Sequence, residues 1–384
     1  MIPDTRALNP PDAGVPAQLL RWRPKYGVLS LYIDIDPGDR SEGWRTMVRN
    51  GLSRAVESSS HDGHELLNAL NATADRLRRD LDEDWRGEHR GLIGFVEVAT
   101  NRGAERWYAT QIPPSRTDVC LSPVPQVHRL LELLDDGAPL GIAAVSSERV
   151  RLFDWRLGRT EQLHDWELEY FAGDWKERKA QRPRDPARGE AVSASGRDQY
   201  NQRLEATRER FAAQTGRLAG AESRARHWDR AVVVGDRRYA SKFSEGLGAA
   251  TEVAYVDVDL VAEPASLIQQ RVEEILPSLN RAREAALIDR IKGAAYTEGR
   301  SSLGIQETLQ ALGEGRVQHL VYDADREYAA GDPGPDAPRG LDGLPVIERM
   351  LELALSTGAE ITPVEAESAK GLAEQGGVAA LLRY

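Results

Sequence analysis

The sequence predicts a three-domain protein of mixed class, part α+β and part α/β. Three observations predict it. The chain has 384 residues, enough for two or three domains of ordinary size. Short alternating strands dominate the first two segments, and strand and helix patterns then alternate toward the C-terminus. Pro- and Gly-rich stretches and long helical patterns divide the chain into 1–24, 25–137, 138–263 and 264–384. Hydrophobic residues make up 41%, which allows sizeable cores. No apolar run approaches the roughly 20 residues that a membrane helix needs.

Residues 1–24 read as a disordered arm, since MIPDTRALNPPDAGVP has neither the basic start nor the apolar stretch of a secretory signal. In 27-GVLSLYIDIDP-37, Leu29, Leu31, Ile33 and Ile35 alternate with Ser30, Tyr32, Asp34 and Asp36, the pattern of a half-buried strand that Pro37-Gly38 ends. Residues 42–57 and 64–81 have helical spacing, the second bringing Leu66, Leu67, Leu70, Ala74 and Leu77 together. The runs 91-GLIGFVEVAT-100 and 105-ERWYATQI-112 read as strands joined by a turn at Asn101-Arg102-Gly103, and a helix over 125–135 closes an α+β domain.

The middle segment opens with a three-strand meander over 140–169, turning near Ser146-Ser147-Glu148 and Leu157-Gly158-Arg159. A polar loop over 172–196, carried to 199 by the resemblance described below, leads into a helix that runs from about 198 to 226, where Leu204, Phe211, Leu218 and several alanines make only a narrow apolar stripe. A strand at 230–236, a helix at 238–248 and a strand at 252–260 complete a mixed sheet of the ribonuclease-H-like kind. A helical stretch over 264–293 carries Pro277, where a kink or break is expected. Helix 305–315, strand 316–323, helix 345–358 and strand 359–365 then form a small α/β/α sandwich, with the Pro/Gly-rich 329–343 as a surface loop.

Several kinds of chemistry lack their residues. Cys120 is the one cysteine, so no disulfide forms within the chain, which suits a cytoplasmic location. The seven histidines show no metal-ligand spacing. Asp34 with Asp36, and Asp257 with Asp259, could each hold Mg²⁺, but carboxylates at strand ends are common and no metal is expected. There is no G-x-x-x-x-G-K-[ST] loop for nucleotide phosphates, and the strand at 140–147 has no acid for nuclease chemistry. No cofactor is expected.

Charge is uneven. The net charge is −11, yet residues 176–226 hold thirteen Lys or Arg against seven acids. A basic segment on an acidic body is an electrostatic footprint for RNA, carried by Lys176, Arg178, Lys179, Arg182, Arg184, Arg188, Arg203, Arg208 and Arg210. The same composition also fits a solvated helix with internal ion pairs, such as Glu205 with Arg208. Arg237, Arg238 and Lys242 suit a surface or RNA face, whereas Trp155, Trp166 and Trp175 suit packing.

The string 299-GRSSLGIQETLQALGEGRVQHLVYD-323 has a glycine-led helix with an ALxxGxV pattern before a strand, and the chain ends in 376-GGVAALLRY-384. Both resemble the last domain of the archaeo-eukaryotic class-I peptide chain release factors, and the order of elements over 25–384 resembles the same superfamily, in its bacterial and Pelota-like branch. The resemblance implies a ribonuclease-H-like middle domain and a C-terminal domain like the kink-turn-binding ribosomal proteins. It also implies a Gly-Gly-Gln loop that enters the peptidyl transferase centre. Here Gln199 takes the glutamine position and Arg203 the first arginine of the following helix.

Arg197 and Asp198 stand where the two glycines would be, with Gly196 the nearest glycine, so the loop is degenerate. Paired glycines let the backbone approach RNA and ester closely, and a backbone N–H there can stabilise an oxyanion. Asp198 opposes both. The stop-codon-reading motifs Asn-Ile-Lys-Ser and Tyr-x-Cys are absent from the first domain. The resemblance therefore implies a monomer in the ribosomal A site, with rRNA and peptidyl-tRNA as partners, a translational GTPase as a further candidate, and neither DNA nor membrane. Two roles follow from it. One is rescue of stalled ribosomes with ester hydrolysis through Gln199. The other is non-catalytic binding in hibernation or stall recognition.

Overall fold

A computed structural model describes residues 8–35, 42–60, 63–82, 89–169, 176–177, 194–248, 251–297, 299–326, 328 and 345–384. Its described residues form three sheets with helices, the mixed class that the residue pattern predicts. By internal contacts the chain divides into two units, Met1–Gly137 with Asn280–Tyr384, and Ala138–Leu279.

The first sheet has strands β1 (Val28–Asp34), β2 (Gly91–Glu97), β3 (Glu105–Thr110) and β4 (Asp118–Ser122) in the order β3-β2-β1-β4. Helix α1 (Val15–Leu19) precedes it, and α2 (Gly43–Ser58), α3 (His64–Asp82) and α4 (His128–Asp136) accompany it. Leu29, Leu31 and Ile33 of β1 face a core with Val48 and Leu52 of α2 and Leu70, Ala74 and Leu77 of α3. Two expectations change here. β1 is buried on both faces rather than half-buried, because the Ser30–Tyr32 side is covered as well. The Tyr32 hydroxyl donates to the Gln126 carbonyl at 2.5 Å, and the Ser30 hydroxyl accepts from the Gln126 N–H at 3.0 Å. The arm over 1–24 is not wholly disordered either, since Val15, Leu19 and Leu20 are apolar and buried.

The second unit holds strands β5 (Leu140–Val145), β6 (Arg149–Arg156), β7 (Arg159–Glu167) and β8 (Lys176–Glu177), followed by α5 (Ala194–Arg226), β9 (Arg230–Gly235), α6 (Arg237–Ser244) and β10 (Glu252–Val256). The sheet order is β10-β9-β5-β6-β7-β8. β5, β9 and β10 run parallel, and the meander β5-β6-β7 is antiparallel. This is the mixed, ribonuclease-H-like arrangement predicted from a meander followed by alternating elements. Trp155 and Trp166 are buried, as packing residues should be, and Trp175 lies outside the described residues.

Helix α7 (Ala265–Thr297) continues through Pro277, so the helix does not break there. One missing N–H costs a single hydrogen bond, and apolar positions on both sides of it, Ile268, Val272, Leu276, Ile288 and Ile291, remain buried. The last domain has β11 (Ser301–Leu303), α8 (Ile305–Gly313), β12 (Val317–Asp323), α9 (Val346–Thr357), β13 (Glu360–Val364), α10 (Ala366–Ala369) and β14 (Val378–Leu382), with sheet order β11-β14-β12-β13. The terminal GGVAALLRY is thus a central strand with a turn before it. Gly376 (φ 64°) and Gly377 (φ 81°) supply two left-handed residues in succession, a conformation that glycine adopts at no steric cost. The Gly377 carbonyl accepts from the Asp323 N–H at 2.8 Å and from the Tyr328 hydroxyl at 2.9 Å. The surface loop expected over 329–343 lies outside the described residues.

The first and last domains meet within one unit through carboxylates. The Glu132 and Glu365 carboxyls hydrogen-bond each other, and Asp136 accepts from the Asn280 side-chain amide at 2.9 Å. Burial, with Glu365, Asp135 and Glu284 as negative neighbours, pushes the Asp136 carboxyl up to about 7. A raised carboxyl keeps its proton in the folded state while the unfolded chain has lost it. Its contribution to stability is therefore intact below about pH 4 and is lost progressively as pH rises to about 7. Asn keeps the acceptor for Asn280 and cannot ionise. Asp136→Asn is expected to be more stable than the wild type by about 2 kcal/mol at pH 8 and nearly equal to it at pH 4.5. That is about half of what the full displacement of the pKa gives, because the carboxyl stays partly exposed. Urea unfolding at both pH values measures it, and an equal difference at the two would refute the assignment.

Candidate nucleic-acid interface

Helix α5 is the element on which the sequence-derived site residues fall. It runs unbroken for 33 residues. Its anchored face carries Phe211, Ala212, Thr215, Ala219 and Ser223, all buried. Two glycines on this face set its distance from α6 and the turn beyond. A Cβ at Gly216 would lie 2.0 Å from the Phe243 carbonyl oxygen, and one at Gly220 would lie 2.4 Å from that of Gly246. The backbones therefore touch where side chains would otherwise separate them.

Glu205, Glu209 and Glu222 of α5 are held by cations of the same unit. Glu205 pairs with Arg208 at 2.8 Å and with Arg238 at 2.9 Å, and it accepts from the Tyr239 hydroxyl at 2.9 Å. These hydrogen bonds, Arg208 foremost, hold the Glu205 carboxyl below its usual range. Glu209 pairs with Arg238 at 2.9 Å. Glu222 pairs with Arg226 at 3.1 Å and with His164 at 3.2 Å, and the His164 ring stacks on Trp166 at 4.7 Å.

The candidate residues separate into distinct groups. Gly196, Arg197, Asp198 and Gln199, expected in the loop over 172–199, are helical backbone, because α5 starts at Ala194. No proline interrupts the run from Ala194 to Arg226, which is rich in Ala, Arg, Glu and Gln, and such residues extend a helix rather than end it. The N–H of residue i in an α-helix donates to the carbonyl of i−4, so the Gln199 N–H is bonded within the helix. Lys176 is paired with Glu167 in the β7–β8 ladder. Arg178, Lys179, Arg182, Arg184 and Arg188 lie outside the described residues.

Among the helix arginines, Arg208 bridges Glu148 at 2.6 Å and Glu205 at 2.8 Å, so the ion-pair reading of this residue is the one that the geometry carries. Arg203 and Arg210 are exposed. Arg217 and Arg224, which the sequence-based choice of site residues passed over, are exposed too. The signal that finds them is their interval of seven residues from Arg210 and from each other.

Other candidates resolve as well. Arg238 and Lys242 pair with acids, Lys242 with Glu245 at 2.8 Å, while Arg237 lies over the Tyr255 ring at 4.7 Å. The Asp34 N–H donates to the Thr117 hydroxyl, and Asp259 accepts from the Val261 N–H. Asp36 lies outside the described residues. Among the described residues no group of three His, Cys, Asp or Glu could hold a metal, and no helix is long and apolar enough to cross a membrane. Burial pushes the Cys120 thiol up to about 11, so it stays protonated at neutral pH.

Residues 125–276, fewer than half of the chain, match the family model described as bacterial archaeo-eukaryotic release factor family 10. No curated protein matches. Among solved structures, an archaeal translation termination factor is 20% identical, with 97% of each chain covered and a TM-score of 0.25. Archaeoglobus fulgidus Pelota is 15% identical, with 77% of this chain and 79% of that one covered and a TM-score of 0.32. S. cerevisiae Dom34, described as a translation termination-like factor involved in RNA quality control pathways, is 8% identical, with 77% and 80% covered and a TM-score of 0.40.

Proposed function

We propose that this chain is a member of the release-factor-like superfamily, to whose family-10 model residues 125–276 are similar, and that it is a translation factor that binds the ribosome without hydrolysing the peptidyl-tRNA ester. The observation that carries this reading is the continuation of α5 upstream through Gly196, Arg197, Asp198 and Gln199. Ester hydrolysis at this position needs a backbone that can approach the ester and an N–H free to meet the developing oxyanion. At Gln199 that N–H belongs to the helix, and the residue before it is an acid rather than glycine. A negative charge beside a developing oxyanion raises the barrier instead of lowering it. Binding needs none of this. A basic helix face supplies it through phosphate contacts.

The experiment is co-sedimentation of the full chain with ribosomes carrying peptidyl-tRNA, together with a count of released peptide. The expected result is binding that weakens steeply with salt, with no release above background, and a Gln199→Ala variant that behaves as the wild type does. Release by the wild type that Gln199→Ala abolishes would establish the alternative, rescue by hydrolysis. By the superfamily resemblance, a translational GTPase is the partner to add to the same assay.

A further inference from the structure

Arg203, Arg210, Arg217 and Arg224 stand at intervals of seven residues along α5, and all four are exposed. Two turns of helix are close to seven residues, so each arginine sits about 10 Å beyond the last, with a drift of about 20°. Together they make a ridge about 30 Å long. Their neighbours three and four positions away, from Arg203 to Arg224, are Ala206, Thr207, Ala213, Gln214, Gly220 and Ala221. None is acidic, so the helix offers no internal partner of the kind that usually neutralises a surface arginine.

No carboxylate pairs with any of the four among the described residues. Arg210 donates only to its own helix, to the Ala206 carbonyl at 3.1 Å. The acids Glu205, Glu209 and Glu222 lie off the ridge, about 90–130° around the helix from it, and are paired with other cations. From Arg203 to Arg224, charge on α5 is thus segregated: the acids are neutralised within the unit, and a line of cations is left to solvent.

We infer that this ridge binds the phosphate backbone of base-paired RNA, an assignment that deepens the ribosome-binding reading by naming the feature recognised. Three properties of the ridge select this partner. A protein partner would need an apolar or aromatic anchor at the centre of the patch, and Leu218 is the only large hydrophobic side chain exposed on α5 among the described residues. Single-stranded RNA is held by stacking its bases on aromatic rings, and no aromatic stands three or four positions from these arginines between Arg203 and Arg224; Tyr200 and the buried Trp228 lie beyond the two ends. Regularly spaced guanidiniums on a rigid helix suit the regular phosphates of a duplex, and Gln202, Thr207 and Gln214 beside them can reach 2′-hydroxyls.

The test uses the full chain and a labelled RNA duplex of about 16 base pairs, the length that a duplex-RNA-binding domain spans, read by fluorescence anisotropy over a range of salt. Arg210→Glu with Arg217→Glu is expected to weaken binding by about tenfold or more and to reduce the salt slope by about 2. Arg210→Lys with Arg217→Lys should keep most of the affinity and the full slope. All these side chains are exposed, so the variants should melt as the wild type does. An unchanged affinity and slope in the Glu variant overturns the inference, as does equal or tighter binding of a single strand of the same length. Co-sedimentation with ribosomes is measured in parallel. If the duplex binds through the ridge while ribosomes do not bind, the ribosome reading fails and the ridge stands. If ribosomes bind and the Glu variant matches the wild type on both probes, the ridge fails and the ribosome reading stands.

Discussion

Glu348→Ala is expected to destabilise the protein by about 4 kcal/mol, the cost of breaking a buried, hydrogen-bonded charge from one side. Glu348 lies on α9 and has no exposed surface. Its carboxylate accepts from the Val127 N–H at 3.0 Å, the His128 N–H at 3.3 Å and the His128 Nδ1–H at 2.6 Å. Those backbone donors are the first of α4, so a residue 220 positions away acts as the helix cap. No local side chain caps α4 in its place. Truncation takes the acceptor from one buried and two part-buried donors and removes a negative charge from the positive end of the helix dipole. Glu348→Gln keeps the shape and part of the bonding, and about 2 kcal/mol is expected for it. The urea midpoint of the full chain measures both. Equal midpoints for the wild type and Glu348→Ala would show that the carboxylate contributes nothing to the junction.

Gly216→Ala is expected to destabilise by about 3 kcal/mol, against what helix propensity predicts. In a helix interior, Ala is favoured over Gly by roughly 0.5–1 kcal/mol. At Gly216, however, the added Cβ would sit 2.0 Å from a backbone carbonyl oxygen of Phe243, and backbone cannot rotate away as a side-chain tip can. Overpacking of this kind costs about 1–3 kcal/mol and commonly more against rigid backbone, so the clash outweighs the propensity. Gly293 supplies the control. It too lies within a long helix, but among the described residues nothing outside its own helix backbone stands within 4 Å of its added Cβ. Gly293→Ala is expected to stabilise by about 0.5–1 kcal/mol. Thermal unfolding of the two variants distinguishes the explanations, since propensity alone would shift both in the same direction. Loosening α5 should also weaken RNA binding by Gly216→Ala, because the arginine ridge is carried on the same helix.

The opposed behaviour of these two glycines shows where sequence reading stops. Residue patterning puts both glycines in long helical stretches, Gly293 at the end of its own, and gives no sign of the approach of Phe243 that separates them. The same holds for the arginines. Arg203, Arg208 and Arg210 carry one label by composition, yet Arg208 is held by Glu148, which lies 60 residues upstream on the turn between β5 and β6. The helix start moved as well. The residue pattern put the start at about 198 and the resemblance carried the loop to 199, but the Ala-, Arg- and Gln-rich run takes the helix back to Ala194.

Period-two and period-3.6 patterns in the residues alone determined β1, the β2–β3 hairpin, the meander, the β9–α6–β10 succession and the long helices. Those signals depend on neighbours a few positions away, so they survive without the fold. The tertiary structure decided the rest. It made strands of Asp118–Ser122, Ser301–Leu303 and Val378–Leu382, which pair with neighbours far along the chain. It covered the second face of β1 and gave α4 a cap from α9. It also chose which cations of α5 are neutralised and which face solvent, because an ion pair depends on a carboxylate brought near by folding, and that distance is not written in the local sequence.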